Sequence, residues 1–194
     1  CRRRTIYTSD SQTDNVFGYV ENKFVADIST YEKFRNYDGK SVLEWRQGVK
    51  HDCAKVMELE KENGYYINQN KEEIDLENDL IYAFLKSSDL NKEIIESTRK
   101  YTIITQRKIG DDTSYIERYY PKTFQYLEKN KEYFNLRKSQ IYKGKPLFSI
   151  FGIGDYSFFQ FKVGISGLYK QTKFSLILPA QDKPVMLDDT CYFL

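Results

Sequence analysis

Apolar and polar positions change period several times along this chain. YVENKFVADI (19–28) sets two short apolar runs on either side of a polar step, which predicts strand, turn and strand. Gly48 interrupts the next segment. AKVMELEKENG then turns Val56, Met57 and Leu59 inward, and Gly64 stands where a helix stops or a chain turns. Residues 64–90 alternate in places around an acidic middle. YTIIT (101–105) is β-branched and aromatic and predicts a strand, and QRKIGDDTSYI turns at Gly110. Pro121 suits a first helical residue. Beyond it Phe124, Leu127, Phe134 and Ile141 predict one helix over about 122–142, ending near Gly144. After Pro146 come short strands, FSIF, FFQFKVGIS, KFSLILP, PVMLDD and TCYFL, separated or bent by Gly152, Gly154, Gly164 and Gly167. Short strands with a few helices predict an α+β fold with mostly antiparallel pairing, rather than a doubly wound parallel sheet.

The 194 residues, 40% hydrophobic and 30% charged, describe a globular chain with a real core. They suit one domain, with two subdomains of about 1–85 and 86–194 as a further reading. The chain opens without Met and stops at CYFL, as a fragment of a longer protein would. No apolar run approaches the roughly 20 residues of a membrane span, and no signal peptide follows the basic start. Three unpaired cysteines (Cys1, Cys53, Cys191) point to a reducing compartment, the cytoplasm. Charge is unevenly spread. Residues 1–85 hold 12 basic and 16 acidic side chains, 86–145 hold 14 and 8, and 146–194 hold 4 and 4. The basic middle suits a polyanionic partner, or the solvated face of a helix.

Little catalytic chemistry is in view. Glu72, Glu73, Asp75, Glu77 and Asp79 form an acidic cluster that a magnesium-dependent nuclease would use, but they lack the accompanying lysine spacing and the glycine of a calcium loop. They read better as a solvated loop and helix start. FGIGDYSF lacks the third glycine of a dinucleotide cradle, and VGISGLY lacks the spacing of a nucleophile elbow. His51, the sole histidine, lies near Cys53 without zinc-ligand spacing. No catalytic, cofactor-binding or metal-binding residue is therefore assigned, and a binding module is expected. A protein-interaction domain docking on a partner subunit through exposed aromatics is the alternative, alongside the nuclease fragment.

Five segments in order carry a resemblance: WRQGVKHDCAKVMEL (45–59), FLKSSDL (84–90), RKYTIITQRKIGDDTSYI (99–116), KPLFSIFGIGDYSFFQFKVGISGLYK (145–170) and KPVMLDDTCYFL (183–194). Together they resemble the TaqI-like specificity (target-recognition) domain in the C-terminal half of bacterial adenine-N6 DNA methyltransferases, which also occurs in fused restriction–modification enzymes. The likeness runs from about residue 5 to the end. It implies sequence-specific recognition of double-stranded DNA without catalysis by this segment. It also implies an upstream methyltransferase domain of the same chain as partner, and S-adenosylmethionine bound in that domain, since the family's cofactor loop and (N/D)-P-P-(Y/F) loop do not occur here.

On this reading the DNA-facing candidates fall on four segments. IGDYS and KVGISGLYK contribute Tyr156 and Ser157 at a turn tip, with Lys162, Tyr169, Lys170 and Lys173 along its rim. WRQGVKHD contributes Arg46 and Gln47 for bidentate base contacts, Lys50 and His51 for phosphate, and Gly48 for close approach to a backbone. FLKSSDL contributes Lys86 and Ser87, with Ser87 and Ser88 also suited to a turn or helix cap. ITQRKIGDD contributes Gln106, Arg107 and Lys108. Arg137, Lys138, Lys143 and Lys145 have two explanations, contact with a polyanion or compensation of the dipole at the end of the 122–142 helix.

Overall fold

The structure, a computed structural model, describes residues 16–168 and 172–194. Two compact units make up the chain, residues 1–42 and 43–194. In the first, strands β1 (Gly18–Val20) and β2 (Lys23–Val25) form the expected hairpin, with Tyr19 opposite Phe24. Helix α1 (Ile28–Phe34) follows. The Asp27 carboxylate caps it by accepting from the Thr30 N–H at 3.1 Å and from the Ser29 and Thr30 hydroxyls at 2.8 Å.

The second unit contains β3 (Arg46–Gln47), α2 (Ala54–Met57), β4 (Glu58–Glu62), β5 (Tyr65–Asn68), β6 (Glu73–Ile74), β7 (Ile81–Leu85), β8 (Ile94–Ile95) and β9 (Lys100–Ile103). Helices α3 (Tyr115–Tyr119), α4 (Pro121–Lys129) and α5 (Lys131–Asn135) come next, then β10 (Lys162–Ser166), β11 (Phe174–Ile177), β12 (Met186–Leu187) and β13 (Cys191–Phe193). Six strands form one sheet in the order β12-β7-β9-β4-β5-β6, and five form another in the order β3-β13-β10-β11-β8. Pairing is antiparallel except for β12 with β7 and β11 with β8. The fold is α+β, as the mixture of short strands and helices predicts. Residues on both sides of position 85 share the six-stranded sheet, since β7 pairs with β9.

Val56, Met57 and Leu59 are buried as expected, yet the segment is a single helical turn followed by a strand. Gly64 closes a hairpin instead of a helix: Asn63 and Gly64 have φ of 49° and 91°, the two positive values of the tight turn that matches strand twist.

The helix predicted over 122–142 breaks in three. The Asn130 N–H bonds Leu127 O at 3.1 Å and its side-chain amide bonds Tyr126 O at 2.9 Å, which closes α4 early. A second break follows α5. There the Arg137 guanidinium reaches out of line to the carbonyls of Leu147 (2.6 Å) and Ser149 (2.7 Å). Leu127 and Phe134 stay buried, but Ile141 is exposed on the 3₁₀ turn Gln140–Tyr142 beyond. FSIF and FFQF are not strands. Phe151 makes only an isolated bridge to Lys50, and Asp155–Phe158 is one 3₁₀ turn.

Gly48 and Gly152 hold the second unit together at a point where three stretches of backbone touch. A Cβ on Gly48 would lie 2.2 Å from Asp188 O and 2.3 Å from Leu187 O, and one on Gly152 would lie 2.0 Å from Gly48 O. Gly48 does permit close approach of a backbone, and that backbone is the chain's own.

Candidate nucleic-acid interface

Three of the four candidate segments converge on the turn Asp155–Phe158. Arg46, on the edge strand β3, lays its guanidinium over the Tyr156 ring at 5.1 Å and pairs with Glu44 at 2.5 Å. Arg107 lays its guanidinium over Phe158 at 4.0 Å. Lys108 reaches Asp155 at 3.2 Å. The backbone around Arg107 is fixed by the Asp111 carboxylate, which accepts from the Lys108 N–H at 2.8 Å and the Arg107 N–H at 3.2 Å. Two arginines thus lie over the rings of one short turn, each held there by a cation–π contact.

Other candidates are internal. Ser157 is buried, and its hydroxyl accepts from the Gly154 N–H at 3.3 Å, so it closes the turn from inside. Gln106 is buried. Its carbonyl oxygen accepts from the Ile150 N–H at 2.8 Å and its amide donates to Asp111 O. Lys162, expected on a rim, is 2% exposed and donates to Phe159 O at 2.6 Å. Burial pushes its pKa from 10.5 to about 8.

His51, expected to meet phosphate, is also buried. Its Nδ1 accepts from the Cys53 N–H at 3.1 Å, and its Nε2 faces Glu58 at 3.6 Å, beyond hydrogen-bond reach. Burial, helped by the charge of Lys86, lowers its pKa to about 4, so the ring is neutral. Phe161 is exposed, and Phe158 is half-buried. Trp45 is likewise outside the core, 5.9 Å from Phe174.

Lys50 is on the surface but committed. It bridges Asp52 at 2.8 Å and Asp189 at 3.0 Å, which raises its pKa. Gln47 donates to Asp189 O at 2.7 Å. Lys86 bridges Glu58 at 2.7 Å, and Ser87 opens a 3₁₀ turn in which the Asp89 carboxylate accepts from the Lys86 N–H at 2.8 Å. Lys173 is exposed. Tyr169 and Lys170 lie outside the described residues.

A further group of exposed lysines is on a loop that the sequence reading divided between two explanations. Residues 133–154 contain no Asp or Glu, and they carry Arg137, Lys138, Lys143 and Lys145. The three lysines are exposed and line a cleft of about 410 Å³ together with Asn135, Ser139 and Gln140. Because α5 ends at Asn135, they are not in the last turn of a helix, and the dipole explanation does not apply. Arg137 fixes the loop from beneath. Its guanidinium lies over the Tyr142 ring at 3.7 Å and donates to the carbonyls of Phe134, Leu147 and Ser149, and desolvation lowers its pKa. Tyr142 packs on Phe151 and donates to Lys50 O at 3.3 Å. The basic loop is therefore seated on residues 50–51 and 149–151, a few residues in sequence before the turn whose rings the two arginines overlie.

The acidic cluster has structural work in this fold. The Glu77 carboxylate caps α4, accepting from the Lys122 N–H (2.9 Å), the Thr123 N–H (2.8 Å) and the Thr123 hydroxyl (2.6 Å). Burial opposes its ionisation, and these hydrogen bonds outweigh burial and lower its pKa. Asp75 pairs with Lys122, and Glu72 accepts from Asn68 at 2.8 Å. Among the described residues no group of three or more His, Cys, Asp or Glu is placed to hold a metal ion. Among them, too, no helix is long and apolar enough to cross a membrane.

No family model matches the chain. It is 44% identical over 178 residues to the type II methyltransferase M.NspV of Nostoc sp. (strain ATCC 29411 / PCC 7524), an alignment that takes in 91% of this chain. The chain is thus related to a type II methyltransferase, and it spans 37% of that protein's length.

Proposed function

We propose that this chain is the DNA-reading part of a restriction–modification adenine-N6 methyltransferase, a target-recognition domain of the TaqI-like kind. The observation that carries the reading is the acid-free loop with Lys138, Lys143 and Lys145 exposed, together with the Asp155–Phe158 turn over whose rings Arg46 and Arg107 lie. Its relation to a type II methyltransferase gives such a surface a natural partner in duplex DNA. Phosphates take the lysines, which fix the protein's position without reading sequence. Arg107 and Arg46 are the base readers, since a guanidinium held by a ring can meet guanine through two parallel hydrogen bonds. Tyr156 and Lys108 border them.

S-adenosylmethionine belongs to another part of such an enzyme. In support, a Cβ on Gly152 would meet Gly48 O and one on Gly154 would meet the Tyr156 ring, so both glycines of FGIGDYSF have a packing role. The chain's own role is to select the sequence while a methyltransferase domain takes the target adenine out of the stack.

Fluorescence anisotropy with a randomised duplex pool at two salt concentrations, followed by sequencing of the bound fraction, tests this. Binding should weaken with salt and enrich a short motif. Replacing Lys138, Lys143 and Lys145 with alanine should lower the slope of log K against log salt by about 2.7, from about 0.9 per phosphate contact. Arg107→Ala should relax preference at one base pair instead. Salt-independent binding, or an unchanged slope in the triple variant, would refute the assignment of the loop.

A further inference from the structure

Among the described residues, the outer face of the five-stranded sheet presents apolar side chains that stay partly exposed. The register places Ile94, Leu176 and Val163 side by side across β8, β11 and β10. It places Phe174, Ile165, Tyr192 and Gln47 side by side across β11, β10, β13 and β3. Trp45, two residues before Gln47, is on the same side and touches Phe174. Ile94, Phe174, Tyr192, Leu176, Val163 and Trp45 are 36–52% exposed, and no charged side chain is among the eight. At about 150–250 Å² per aromatic side chain, the three rings alone leave on the order of 250 Å² in water. With the aliphatic residues the face reaches the size of the largest apolar patch on a typical monomer, roughly 300–600 Å² and often functional. A face without cations does not suit phosphate, so this surface is not the DNA interface.

We propose that this sheet face is the docking surface for the methyltransferase domain, which packs on Phe174, Leu176, Val163 and Tyr192. The proposal rests on the reading above that the chain is one part of such an enzyme. The occupant follows from length: the chain matches 37% of the related methyltransferase, so most of that protein has no counterpart here. Antiparallel sheets commonly have one face on a core and one in water, and the watered face is then polar. Here the alternation Phe174 out, Ser175 in, Leu176 out, Ile177 in places apolar side chains on both sides, as a sheet buried twice requires.

The test uses the complete gene product with p-benzoylphenylalanine at position 174, irradiated with and without duplex DNA and mapped by mass spectrometry. A crosslink to residues of the methyltransferase domain is expected. A crosslink to a second copy of this segment, to DNA, or to nothing would overturn the proposal. As a second arm, Leu176→Glu should lower methylation about tenfold or more, since it would bury an unpaired charge, and leave the duplex affinity of the 194-residue chain unchanged. Equal methylation by the variant would also overturn the proposal. Failure of the DNA reading is separately visible, as loss of salt-dependent duplex binding by the unsubstituted chain.

Discussion

Lys162 is the charge most at odds with its surroundings, and its replacement gives a quantitative test of the fold. The side chain is 2% exposed, bonds one carbonyl (Phe159 O) and lies 5.9 Å from the Phe193 ring centre. Burial holds its folded-state pKa at about 8, against 10.5 in an unfolded chain. Because the folded pKa is the lower one, the unfolded state binds more protons between pH 8 and 10.5, and stability rises with pH across that window. The gap of about 2.5 pH units, at about 1.4 kcal/mol each, amounts to a penalty of about 3 kcal/mol at pH 7. Lys162→Met removes that penalty but leaves Phe159 O without its donor, a loss of about 1 kcal/mol. The variant should therefore be more stable than the parent by about 2 kcal/mol at pH 7. By pH 9 the parent should recover about 1.3 kcal/mol of the difference, as its buried amine loses its proton. Urea unfolding at pH 7, 8 and 9, followed by far-ultraviolet circular dichroism and by fluorescence of Trp45, the sole tryptophan, measures this. A constant difference between the two proteins from pH 7 to 9 would refute the reasoning, because the amine would then not be titrating in the folded state.

Two further outcomes follow from buried contacts. Gly48→Ala should destabilise the chain by about 3 kcal/mol, because its Cβ would meet two backbone oxygens that cannot move aside without disturbing the Val49 N–H to Leu187 O bond; a urea midpoint within about 0.3 M of the parent would contradict this, at a slope of about 1–3 kcal/mol per M. Cys53 and Cys191 should resist iodoacetamide at pH 8 until the chain is unfolded, because burial raises their thiols to about 11 and about 12; alkylation mapped by mass spectrometry reads each position separately.

Where local chemistry decides, the sequence was readable. The hairpin at 19–28, Pro121 as a first helical residue and the inward Val56, Met57 and Leu59 all follow from spacing and turn residues. The broken helix was not readable, because its apolar period continues past Asn130, where the first break falls, and the second break goes with an arginine reaching carbonyls ten and twelve residues away. Long-range burial was equally hidden. Nothing in KVGIS marks Lys162 as internal, and nothing in QRK separates a buried Gln106 from an exposed Arg107. The convergence of Arg46 and Arg107 on one turn depends on bringing together segments about 60 residues apart. The three loop lysines were visible as charge, but whether a helix would absorb them depended on where that helix ended.

The backbone junction at Gly48 also sets a schedule for synthesis. Gln47 pairs with Tyr192, Val49 bonds Leu187 O, and Gly48 bonds Cys191 O, each across about 140 residues. A ribosome making this chain releases strand β3 long before β12 and β13 exist, so β3 and the glycine behind it wait without their partners. The six-stranded sheet can assemble five of its strands from residues 58–103, but the five-stranded sheet cannot take in β3 until β13, residues 191–193, has left the exit tunnel. Such non-local closure slows folding. It leaves Trp45 and strand β3 exposed to chaperones, or to other nascent copies, while the following roughly 140 residues are made.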